Sequence, residues 1–105
     1  MSSDIEDIQA HLRFLEEVEM AIRAANQEII HQHISEVCHK DFHRLAVVVA
    51  KRRALYLAEV MKLEEQGQTH DREILRSLRE DYEEALEGFE ALQRCIERGY
   101  VKLAD

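Results

Sequence analysis

Proline is absent from this chain, and glycine occurs only as Gly67, Gly88 and Gly99. These two residue types supply the tight reversals that successive strands need, glycine by tolerating positive φ and proline by fixing its own φ. A sheet protein is therefore hard to build from this sequence, whereas long uninterrupted helices are easy. With 46% hydrophobic and 34% charged residues, the chain is too apolar to stay disordered and suits helices that keep one face in water. Its 105 residues fit a single helical domain, 1–105, with one modest core.

Hydrophobic periodicity divides the chain into three helical segments, expected at about 3–32, 35–66 and 69–98. The clearest is the last, where Leu75, Leu78, Tyr82, Ala85, Phe89, Leu92 and Ile96 alternate steps of three and four and form a coiled-coil seam. Gly67-Gln68-Thr69 offers a turn and a capping residue before it, Asp71 and Glu73 suit the positive end of the helix dipole, and Gly99 suits the left-handed position after it. The first segment carries Ile5, Ile8, Leu12, Leu15, Val18, Ile22, Ala25 and Ile29 on one stripe, with Ser2 or Ser3 available as a cap. The boundary with the middle segment has two readings. Either Ser35 caps a new helix after a turn at His33-Ile34, giving an antiparallel three-helix bundle, or the first helix continues and the protein is one long helical hairpin. The fold class is all-α in both.

Leu45-Ala46-Val47-Val48-Val49-Ala50 places six apolar residues in succession. At about 100° per residue they cover every side of a helix, so one seam cannot bury them all. Two neighbouring helices leave an outward side uncovered. Either the two other helices cover the run themselves, or the chain self-associates with at least one of Val47, Val48 and Val49 facing a second copy, which is the expectation here.

Charge is unevenly placed. Residues 1–38 set two arginines against eight acids, a net of −6, whereas in residues 39–53 Lys40, Arg44, Lys51, Arg52 and Arg53 outweigh Asp41 for a net of +4. This basic island pairs with acidic neighbours across helices or docks an acidic partner through Lys51, Arg52 and Arg53. The whole chain is at −8, which opposes binding to nucleic acid or to an anionic membrane. No apolar run reaches the roughly 20 residues that span a bilayer, and no leader-like segment stands at the start, so a cytoplasmic protein is expected. In that reducing compartment Cys38 and Cys95 are thiols or metal ligands.

Four of the six histidines, His31, His33, His39 and His43, fall within thirteen residues, beside Glu28 and Glu36. On one helix Glu36, His39 and His43 lie three or four residues apart and share a face, and a fold back near His33 sets Glu28 opposite His39. Glu28, His31, Glu36, His39 and His43 are thus candidate ligands for zinc or iron. The spacings Glu28-x-x-His31 and Glu36-x-x-His39 resemble half of the motif by which ferritin-like di-iron bundles hold metal. That family presents its ligands from the middle of long helices and adds glutamates from others, whereas these spacings flank an expected turn. Folding the last helix back also brings Cys95 to the same end as Cys38, where His39 or His31 could join a thiolate site.

A Gly-rich phosphate loop, a His-Glu-x-x-His motif and a nucleophile elbow are all missing, so enzyme chemistry is not indicated. The tail from Gly99 to Asp105 retains Tyr100, Val101 and Leu103, which either pack back on the last helix or bind a partner. Two functional classes follow. One is a protein-binding, scaffold or chaperone-like module that works as a homo-oligomer, with no cofactor and a protein partner the sequence does not name. The other is a metal-binding helical bundle with its site near the first turn.

Overall fold

A computed structural model describes residues 2–66 and 71–104. It contains three helices, α1 (Ser2–His33), α2 (His39–Gln66) and α3 (Arg72–Glu97). No strand stands beside them among the described residues. One isolated parallel bridge joins Val37 to Leu103. The Gly67-Gln68-Thr69 turn lies outside the described residues.

α2 and α3 pack side by side, and the facing pairs fix their direction. Phe42 meets Phe89 with ring centroids 4.7 Å apart, and Tyr56 stacks near Tyr82 at 6.0 Å. As residue numbers rise along α2 the partner numbers on α3 fall, so the pair is antiparallel. All seven seam residues read from the α3 sequence, Leu75 to Ile96, are half-buried, and none is fully buried. A seam facing one helix alone is covered on one flank only, which explains the halfway burial.

Both ends of α3 are capped by their own chemistry. Asp71, not Thr69, is the N-cap: its Oδ1 accepts from the backbone N–H groups of Glu73 at 2.9 Å and Ile74 at 3.4 Å. At the other end Gly99 takes φ +75°, its N–H donates to the Ile96 carbonyl, and the Tyr100 N–H donates to the Cys95 carbonyl. These two bonds make a Schellman motif, which needs a residue at ease in the left-handed region.

The break between the first two helices is real, so the single continuous helix does not occur. Its cap is not Ser35, however. The Cys38 carbonyl accepts the first bond of α2, from the Phe42 N–H, and the Asp41 carboxylate three residues on accepts from the Cys38 N–H at 3.2 Å, half of a capping box. Ser35 is bypassed because the C-terminal tail holds Val37 in an extended pairing just before α2. The Val37 N–H donates to the Lys102 carbonyl at 2.9 Å, and the Ala104 N–H donates to the Val37 carbonyl at 2.8 Å. Val101 packs into this joint, and among the described residues it completes, with Val37 and Val49, the set of buried hydrophobic residues, each 6 or 7% exposed. The tail therefore folds back, but beyond the Schellman motif its backbone bonds are to the Val37 segment and not to the last helix, where one of its two sequence readings put it.

The antiparallel bundle is present only in its α2–α3 half. Among the described residues α1 packs against neither other helix. Its contact with the body is at its last turns, where Gln27 Nε2 donates to the Gly99 carbonyl at 2.7 Å. The molecule accordingly measures 73 × 38 × 18 Å with a radius of gyration of 22.2 Å. A compact domain of about this length has a radius near 13 Å.

Candidate interaction surface

The expected α1 stripe forms, but nothing covers it. Ile5, Ile8, Leu12, Leu15, Ile22 and Ile29 are between 51 and 59% exposed. A row of large apolar side chains along about 36 Å of helix is far more than the scattered exposed residues of an ordinary surface.

On α2 the apolar run divides as helical geometry demands. Val49 points into the α2–α3 seam, Val47 is half-buried, and Val48 is left 37% exposed beside Leu45. Val49 is therefore buried within its own chain, and Val48 stands on the more exposed side. A groove of about 300 Å³ lies there, between Leu45, Val48, Val49 and Arg52 on α2 and Glu84, Ala85, Gly88 and Phe89 on α3. A Cβ placed at Gly88 would meet nothing within 4 Å, so the floor of the groove is open at that point.

Two residues of the basic island bond across the α2–α3 hairpin. Arg52 Nη1 donates to the Asp81 carbonyl at 3.1 Å, and Arg53 Nε donates to Tyr82 Oη at 3.1 Å while its guanidinium lies 5.4 Å from the Tyr82 ring centroid. Arg44 pairs with Asp41 at 3.5 Å. Lys51 stays exposed.

The histidine and glutamate candidates are parted by the joint. Glu28 and His31 line a cleft of about 420 Å³ against Gly99 to Lys102, and His31 Nδ1 lies 3.1 Å from the Ser35 carbonyl. His39 lines a second cleft of about 290 Å³, with Cys38, Phe42 and Ile96. Glu36 and His43 are exposed. Among the described residues no three His, Cys, Asp or Glu side chains come together closely enough to hold an ion. Cys38 and Cys95 are free thiols at the same end of the hairpin. The Cys38 thiol donates to Asp41 Oδ2 at 3.2 Å, and this bond, the Cys38 N–H and the Arg44 charge hold the Asp41 carboxyl below its ordinary value.

Sequence reasoning missed Gln27, Val37, Asp41 and Gly88. Asp41 was the one with a signal, since an acid three residues after a helix start is the capping-box spacing. No helix among the described residues is long and apolar enough to cross a membrane. No family model, curated protein or solved structure matches this chain.

Proposed function

We propose that this chain is a non-enzymatic helical interaction module that acts as a homo-oligomer, in the manner of a scaffold or chaperone-like part. The observation that carries the reading is the uncovered α1 stripe. A compact monomer of 12.3 kDa exposes about 6,100 Å². This chain exposes 8807 Å². The excess is roughly 2,700 Å² per chain, and covering half of it on each of two chains would bury about 2,700 Å² in all. Obligate homodimers bury roughly 2,000–5,000 Å².

The acidic charge supports a protein partner over nucleic acid or an anionic membrane, and the two free thiols suit a reducing cytoplasm. Light scattering after gel filtration, from micromolar to millimolar chain, tests the reading. A mass of two or more chains is expected. A monomer across the whole range would overturn it.

A further inference from the structure

We propose that the groove between α2 and α3 on the Val48 side receives α1 of a second copy, reciprocally, so that two chains exchange their first helices and build two three-helix bundles. The proposal rests on the self-association reading above and adds to it which surfaces meet.

Four observations fit this occupant. First, the groove needs an apolar helix: Leu45 and Val48 stand exposed on one bank, and Ala85 and Gly88 on the other leave room for a backbone to approach. Second, lengths agree. α1 has 32 residues against 28 in α2 and 26 in α3, about 48, 42 and 39 Å of helix.

Third, the charges of α1 and of the α2 bank are complementary, while the α3 bank adds the single acid Glu84 to the groove lining. α1 carries seven acids, among them Glu16 and Glu19 at the border of its stripe, against Arg13 and Arg23. On α2, Arg44, Val48, Lys51 and Leu55 follow steps of four, three and four, so two cations share a face with two apolar residues. Pairing α1 with another α1 would instead set two helices of net −5 side by side. Fourth, α1 of the same chain is held away from the groove. Its last turns are tied to the tail through Gln27 and Gly99, and the segment that follows is tied through Val37.

Two variants and their mixture test the arrangement in the full chain. Leu12→Glu charges the middle of the α1 stripe at an exposed position. Gly88→Glu fills the groove, and because the site is open and glycine is the poorer helix former, the hairpin should keep its helical circular dichroism. Val48→Glu is a second groove variant should the first lose helix.

Each variant alone should associate about tenfold more weakly than wild type or worse, a loss of about 1.4 kcal/mol. Mixed in equal amounts, they should form a heterodimer, because the intact α1 of one meets the intact groove of the other. If the folded groove variants dimerise like wild type, or the mixture gives no heterodimer at millimolar concentration, the exchange is overturned while self-association stands. A monomeric wild type overturns the self-association reading itself.

Discussion

Val48 and Val49 are neighbours in sequence that differ in burial, so truncating each to Ala should give losses of different size. Removing the Val side chain beyond Cβ deletes about two methylene equivalents, worth roughly 0.8 kcal/mol each when fully buried. Val49 is 6% exposed, so nearly all of that, about 1.5 kcal/mol, is lost. The better helix propensity of Ala returns roughly 0.5 kcal/mol, which leaves a net loss near 1 kcal/mol before any cavity term. Val48 is 37% exposed in the single chain, and its smaller burial is largely offset by the same propensity gain. Val48→Ala should therefore be close to neutral in dilute protein and destabilising only where chains associate. Urea unfolding followed by circular dichroism, at concentrations below and above the association range, separates the two. If Val48→Ala costs as much as Val49→Ala in dilute protein, the assignment of inward and outward sides on α2 is wrong.

Asp71→Ala removes the N-cap of α3 and should cost about 1 kcal/mol in a urea titration, with no change in oligomer mass. Gly99→Ala forces an L side chain to φ +75° in the Schellman motif, and a loss of about 1–2 kcal/mol in the same titration is expected. The lowered Asp41 carboxyl stabilises the folded chain fully above the ordinary aspartate range, and that contribution disappears as pH falls through its lower folded-state value. Asp41→Asn should consequently flatten part of the acid limb of a plot of Tm against pH. An unchanged acid limb would show that the Cys38 cap contributes nothing in solution.

The sequence spoke most clearly where period alone decides structure. The three-and-four spacing of Leu75 to Ile96 named the inward face of α3, because a helix has one face per period and a seam marks it. The same spacing on α1 was equally plain, yet it misled about packing: a stripe states that a helix needs cover, not which surface supplies it. Val37 and Val101 gave no periodic signal, since the joint they form is a short extended pairing between segments far apart in the chain. That pairing also undid the expected Ser35 cap and parted Glu28 and His31 from His39, which simple antiparallel pairing had brought level. Arg52 and Arg53 belonged to a charge pattern whose use depended on where Asp81 and Tyr82 lay across the seam, a matter of register that no local pattern contains.

The Val37 joint acts as the pivot of a long arm. Two backbone hydrogen bonds and the Gln27 amide fix the direction of α1, and each such bond contributes on the order of 1 kcal/mol. For an arm of about 48 Å, a turn of about 10° at the pivot carries the far tip about 8 Å, more than one helical turn. Under the proposed exchange, one arm angle would let two molecules clasp each other and close, while another would pass the arm on to a third molecule and leave the series open. In that exchange, three weak bonds at residues 27 and 37 would set the choice between a finite particle and a growing strand.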